Sequence, residues 1–318
     1  MYSIQKATTE FLQHCRYEKN LSPKTIKSYS IDLKQLSNFL TEKNYSLEIT
    51  DITKNELREF LELISSLKPK SIKRKIATIK AMFNFLEFDD RIEINPFRKM
   101  RIKIKEPKTL PKVMDIKEIK KIFNTAYEKH SLSVNESEYK FFESLRDIVV
   151  IELLFATGAR VSEIANLKVN SIDVQNGMVT IRGKGNKERI IQICNPETLH
   201  LLKNYHKRYL KEIEKSGGFF LINRLGKMLS DQSIRVIVKK LACRAKLKKH
   251  ITPHVFRHSF ATLLLEKDVD IKYIQSLLGH SSIMTTQIYT HVNRAQQKKI
   301  LKTKHPRKDF SMLALLVS

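Results

Sequence analysis

The 318 residues include 59 Lys plus Arg against 33 Asp plus Glu, a formal charge of +26 at pH 7, and 42% are hydrophobic. That apolar content supports more than one core, so two domains are expected, and the charge points to a polyanionic partner. No apolar run approaches the ~18 to 20 residues of a spanning helix and Met1-Tyr2-Ser3-Ile4-Gln5 has no basic-then-apolar leader, so a cytoplasmic protein with no membrane partner is expected.

The first hundred residues predict four amphipathic helices. In the first, Phe11, Leu12 and Cys15 share helical spacing. Ser22-Pro23 starts the second, because serine accepts from free first-turn amides and proline fits the first turn; Ile26, Tyr29, Leu33, Leu36 and Leu40 then make one stripe. Thr53-Lys54-Asn55-Glu56 is a capping box ahead of Leu57, Phe60, Leu61 and Ile64, and Ser71 opens a fourth helix carrying Ile72, Ile76, Ile79, Phe83 and Leu86. Four such helices with short connections make a small bundle. Lys70, Lys73, Arg74, Lys75 and Lys80 crowd the fourth helix and are candidate DNA contacts; singly each is an ordinary solvated side chain, and only the cluster points to phosphate. The basic, proline-punctuated stretch from Asn95-Pro96 to Leu110-Pro111 reads as a linker over 101–111.

Asp115 and Glu118 form a second capping box that opens another domain. A polar segment near His130 to Glu138 interrupts the pattern before an apolar helix over Phe142 to Phe155, which stops at Thr157-Gly158; a short helix follows around Arg160. Ile172 to Val174, Met178 to Arg182 and Arg189 to Ile193 alternate as strands around turns at Asn176-Gly177 and Gly183-Lys184-Gly185-Asn186, predicting a three-stranded antiparallel sheet. Helices return around Asn195, Ser230, Pro253, Asp270 and Ser282, with a strand-turn-strand at Phe219 to Leu229. The expected fold is mainly α: a four-helix domain over 1–100, then a mixed α+β domain over 112–303 with a small sheet, then a tail over 304–318 whose apolar end needs a partner surface. Cys15, Cys194 and Cys243 are scattered and odd in number, so buried free thiols are expected rather than disulfides or a thiolate zinc site.

The chemistry gathers in the second half. Gln232 to Leu265 and Ile271 to Lys308 each contain eight Lys or Arg and no acid; a solvated basic face is the plain account, but both stretches carry the His, Arg and Tyr cluster, and a site handling phosphate would exclude carboxylates. His254 and Arg257 are three apart behind Pro253 and project from one helix face; alone, His-x-x-Arg marks little more than a helix start. His254 and His258 have the spacing of a zinc pair, but Val255 stands where a metalloprotease has glutamate. His280 follows the helix-stopping Gly279, and Tyr289 comes nine residues later. A tyrosine with a pKa near ~10 is about one part in a thousand ionised at neutral pH and needs neighbours to attack phosphorus. Arg160 carries Glu163 one turn on, where the carboxylate can orient it or simply pair with it. Lys184 sits in a glycine-flanked turn that lacks the spacing of a nucleotide-binding loop.

Together these residues resemble the tyrosine site-specific recombinases, or phage-type integrases, and among them the Xer subfamily. The resemblance runs from Ser22-Pro23-Lys24-Thr25 through the linker to Thr157-Gly-Ala-Arg-Val-Ser-Glu163, Gly183-Lys-Gly185, His254-Val-Phe-Arg257-His-Ser-Phe-Ala-Thr262, Leu278-Gly-His280 and Tyr289-Thr-His291. It implies that Tyr289 is the nucleophile, forming a 3′-phosphotyrosyl ester and a free 5′-hydroxyl. Arg160 and Arg257 would hold the nonbridging oxygens, with His280 donating to the same phosphate. Lys184 would be the general acid, His254 an acid-base group, and Glu163 a support for Arg160. It further implies no cofactor and no metal. The expected partners are double-stranded DNA with a specific recombination site, a homotetramer or heterotetramer on two sites, a tail that docks on a neighbouring protomer, and an activating DNA translocase. Chromosome dimer resolution is the expected role. Integration of a mobile element is the alternative, and a noncatalytic DNA-binding protein or an unspecific relaxing topoisomerase are the competing classes.

Overall fold

The computed structural model describes residues 2–106, 112–183, 187–279, 294–312 and 315. The chain divides into two compact units, Met1–Thr109 and Leu110–Ser318.

The first unit holds α1 (Ile4–Tyr17), α2 (Pro23–Glu42), α3 (Lys54–Leu63) and α4 (Pro69–Phe88). Capping is local chemistry, and it forms where the sequence places it: Ser22 Oγ accepts from the Thr25 amide, and Thr53 and Glu56 close a reciprocal box. The fourth helix starts two residues before Ser71, with Pro69 in its first turn. Phe11, Leu33, Leu36, Leu40, Phe60, Phe83 and Leu86 are buried together. Within this apolar bundle Asp32 is also fully buried, receiving Lys75 Nζ at 3.0 Å, Arg74 Nη1 at 2.8 Å and Thr78 Oγ1 at 3.2 Å. Lys75, a candidate DNA contact in the sequence, is instead buried, its ammonium held inside by Asp32 and Gln35. Lys70, Lys73, Arg74 and Lys80 remain exposed, Lys70 and Lys73 lying against Glu106.

The second unit runs α5 (Ile116–Ser133), α6 (Glu138–Thr157), α7 (Val161–Ala165), β1 (Ile172–Asp173), β2 (Met178–Arg182), β3 (Glu188–Gln192), α8 (Pro196–Arg208), α9 (Leu210–Lys215), α10 (Asp231–Arg244), α11 (Pro253–Glu266), α12 (Ile271–Leu278) and α13 (Arg294–Lys304). The expected mainly helical chain with one small sheet is what forms. The sheet order is β1-β2-β3, antiparallel throughout, with Val179 opposite Ile191 and Ile181 opposite Arg189. Phe219 to Leu229 supplies only isolated bridges, Lys168 to Phe219 and Ile222 to Met228.

α6 is the axis of this unit, buried from Ser144 through Thr157 on all sides, which is why Ile148–Ile151 and Leu153–Ala156 are apolar runs rather than a stripe, with Glu152 buried between them. The expected polar interruption is shorter than read. α5 continues to Ser133, and His130 turns inward, its Nδ1 2.9 Å from Ser144 Oγ. Nor is the chain beyond 304 a free tail as far as Met312: His305, Pro306, Arg307, Phe310 and Met312 are buried in the unit's own core. The reason is electrostatic, since fully buried Glu152 on α6 and Glu197 on α8 both pair with the Arg307 guanidinium at 2.9 Å. The three cysteines are free, but only Cys15 is buried; Cys194 is half-buried and Cys243 exposed. Among the described residues no helix is long and apolar enough to cross a membrane.

Candidate active site

Two helix ends build the site. α6 stops at Gly158, whose φ of +57° is the left-handed turn glycine adopts without penalty, and α12 stops the same way at Gly279, φ +63°. At each stop the last carbonyls of a helix are left without intrahelical donors, and at these two ends arginines supply them. Arg257, on α11, donates from Nη1 to Gly158 O at 2.9 Å and from Nη2 to Leu278 O at 2.7 Å. Arg160, at the start of α7, donates from Nη2 to Gly279 O at 3.3 Å. Arg189, on β3, donates from Nε to Leu277 O at 2.8 Å. Three successive carbonyls at the end of α12 thus hold three arginines from three other elements.

Glu163 ties two of them. Its carboxylate accepts the Arg160 backbone amide at 2.8 Å and Arg160 Nη1 at 2.9 Å, and Arg189 Nη2 and Nη1 at 2.7 and 3.2 Å. Burial pushes the Glu163 carboxyl up, but the Arg189 and Arg160 donors outweigh it and hold its pKa below the usual carboxylate value. Arg257 is buried to 5% exposure and its pKa is pushed down to about 10, first by burial and then by Arg160 and Arg189, against the pull of Glu163. It remains charged at neutral pH. Such repulsion between like charges is what an incoming anion relieves.

His254 lies one turn before Arg257, on a helix capped by Thr252 and opened by Pro253. Partial burial, then His258, Arg235, Arg257 and Arg160, hold its pKa below the ordinary imidazole value, so the ring is neutral at pH 7. Beneath it, Ser259 Oγ donates to Val255 O at 2.8 Å and accepts the Met114 amide at 2.7 Å, fixing α11 to the start of the unit.

Of the residues singled out by sequence, Arg160, Glu163 and Arg257 are brought together around the end of α12, with His254 on the same helix as Arg257. Lys184, His280 and Tyr289 lie outside the described residues; the chain reaches Gly183 on one side and Gly279 on another. Both of those glycines border the same cluster. A Cβ at Gly183 would sit 3.5 Å from Glu163 Oε1, and one at Gly279 3.1 Å from Arg189 Nη1. Arg189 was expected only as a strand residue. Its sole sequence signal is a charged side chain facing inward in an alternating strand, which means little until its partners are known.

Residues 112–296 match the model described as the phage integrase family, and residues 8–88 match the phage integrase N-terminal SAM-like domain. A tyrosine recombinase of Agathobacter rectalis is 45% identical over 98% of this chain and 99% of its own. Tyrosine recombinase XerC of Oceanobacillus iheyensis is 35% identical over 96% of this chain and 98% of its own. Among solved structures, a lambda integrase tetramer bound to a Holliday junction has a TM-score of 0.66 at 18% identity, covering 90% of this chain and 79% of that one, a likeness of fold. These matches define the class, an enzyme that cleaves and rejoins DNA. The chain belongs to the phage integrase family and is a Xer-like tyrosine recombinase.

Proposed function

We propose that Tyr289 attacks the scissile phosphate of a specific DNA recombination site, giving a 3′-phosphotyrosyl ester and a free 5′-hydroxyl. The observation that carries this reading is the convergence of Arg160 and Arg257 on successive carbonyls of the segment that leads into His280, with Tyr289 nine residues beyond. As the bond from the phenol oxygen to phosphorus forms, the bond from phosphorus to the 5′-oxygen breaks. The phenol proton passes to neutral His254, and Lys184 gives a proton to the leaving 5′-oxygen. Arg160 and Arg257 hold the nonbridging oxygens with guanidinium donors beyond those already anchored on carbonyls, and His280 donates to the same group. Glu163 keeps Arg160 in place. Permanent guanidinium charge does the work that metal ions do in other phosphoryl transfers, and the ester conserves phosphodiester energy for rejoining, so no metal, nucleotide or other cofactor has a role.

In this reading residues 1–100 are a DNA-binding domain, with Lys70, Lys73, Arg74 and Lys80 toward phosphate, 101–111 a linker and 112–303 the catalytic domain. The end of the tail is proposed for contact with a neighbouring protomer, although Leu315 packs against the unit's own core. Assembly as a homotetramer or heterotetramer on two sites is supported by the tetrameric state named for the lambda integrase structure. The reading places the protein in the cytoplasm, resolving chromosome dimers under an activating DNA translocase; the relative named XerC supports only the Xer-type assignment within it. Integration of a mobile element is the second reading, with which the 45% identical relative, named only a tyrosine recombinase, is equally compatible.

The test is a nicked suicide duplex carrying candidate sites from the protein's own replicon. Wild type forms a denaturation-resistant protein–DNA adduct, and Tyr289→Phe forms none; an adduct that persists in Tyr289→Phe sinks the mechanism.

A further inference from the structure

The mechanism above leaves Arg189 without a part, although this side chain is only 12% exposed and spends all three of its guanidinium nitrogens on the site. We propose that Arg189 is a positioning residue for strand cleavage: it fixes the Glu163 carboxylate against the end of α12, and through Glu163 it sets the direction of Arg160. The inference rests on the reading of Arg160 as a phosphate ligand.

The geometry assigns the role by saturation. A carboxylate offers about four lone-pair directions, and four N–H groups reach Glu163, two from Arg160 and two from Arg189. Half of what holds Glu163 in its rotamer therefore comes from β3. Arg189 differs from Arg160 in the opposite respect. The Arg160 side chain is 34% exposed with one long bond to Gly279 O, whereas Arg189 forks onto both carboxylate oxygens and reaches Leu277 O with the nitrogen that remains. One is turned partly to solvent, and the other is consumed by the protein. Without Arg189, Glu163 would lose two donors while staying buried, and could turn away from Arg160 or take up a proton.

Lysine cannot replace this arrangement, because an ammonium has no planar fork and cannot serve both oxygens and the Leu277 carbonyl together. Arg189→Lys keeps the charge and loses the geometry, which makes it the informative variant. The expected result is that adduct formation on the suicide duplex slows about 10- to 100-fold, while affinity for uncleaved duplex changes less than about 3-fold. A duplex with a neutral methylphosphonate at the scissile position, which has less need of Arg160, is expected to shrink that deficit. Glu163→Gln should act on the same step, and the double variant should be no slower than the slower single.

Wild-type speed in Arg189→Lys, multiplicative losses in the double variant, or an equal deficit on phosphate and methylphosphonate would each overturn the proposal. Urea midpoints of free wild type, both singles and the double read the Arg189–Glu163 coupling without DNA, and additive midpoints overturn it even if no variant cleaves. If wild type itself forms no adduct, the reading of Tyr289 fails, and the midpoints still decide whether Arg189 and Glu163 act as a unit.

Discussion

Gly158 is both a helix stop and, through its carbonyl, an anchor for Arg257, and a side chain there would disturb both. Its φ of +57° is strained for any side chain, and a Cβ there would lie 2.5 Å from Phe260 Cδ1, a ring on the very helix that carries Arg257. Gly226 has a similar φ of +66° with nothing within 4 Å of the added carbon. The pair separates backbone strain from crowding. Gly226→Ala is expected to cost about 1 kcal/mol, while Gly158→Ala costs about 2–4 kcal/mol and moves the carbonyl that Arg257 holds. Urea unfolding of the two variants checks the difference, and adduct formation should fall only in Gly158→Ala. The glycine was legible as a helix stop because stopping is a local act. Its second duty was not, since the Arg257 that binds its carbonyl is 99 residues away.

At the scale of elements, the same division between local and distant decides what the sequence discloses. Caps at Ser22, Thr53 and Asp115 and the alternation of Val179 and Ile181 were readable because partners lie within a few residues or on a fixed face. Nothing local marks Asp32, Glu152 and Arg307 as buried charges, because Lys75 is 43 residues from Asp32 and Arg307 is 155 from Glu152. The segment after α13 is held to α6 by that buried network and by His305, whose Nε2 donates to Ala156 O at 3.2 Å while Nδ1 accepts the Arg307 amide at 2.9 Å. Burial, then Arg307 and Lys267, against the Ala156 carbonyl and Asp309, push the His305 pKa down to about 4; burial, then Arg208, does the same to His130 on α5. Both imidazoles return to about 6.5 on unfolding. The unfolded chain thus binds more protons between pH 6.5 and 4, so this contribution to stability is complete above 6.5 and declines as pH falls toward 4, by about 3 kcal/mol for each ring at most. The urea midpoint is expected to drop from pH 7.5 to pH 5, above the range where ordinary carboxylates titrate. A double replacement, His130→Gln with His305→Gln, should lose that slope whatever its stability at pH 7.5. A flat wild-type profile contradicts the assignment.

For the whole molecule, the quantity that matters is which of the 59 Lys and Arg are left to face a polyanion, and the structure shows some of them already paired inside. Lys75, Arg189 and Arg307 are neutralised inside the protein by Asp32, Glu163 and the Glu152–Glu197 pair, so they serve folding and positioning. Lys73, Arg74 and Lys80 keep exposed side chains on one helix, although Lys73 and Arg74 each have a carboxylate partner. If these exposed cations meet DNA, each phosphate they neutralise releases counterions, and the logarithm of affinity falls linearly with the logarithm of salt by about 0.9 per contact. Six or more contacts predict a loss of at least ~10³-fold between 50 and 200 mM salt. Lys80→Gln should lower that slope by about one and weaken binding evenly across sequences, as loss of a phosphate contact does. Lys75→Gln should leave the slope unchanged and lower the urea midpoint instead, because it takes the buried ammonium from Asp32 and leaves that carboxylate to Arg74 and Thr78. A slope that falls for Lys75→Gln and not for Lys80→Gln would reverse the division between structural and DNA-facing cations on α4.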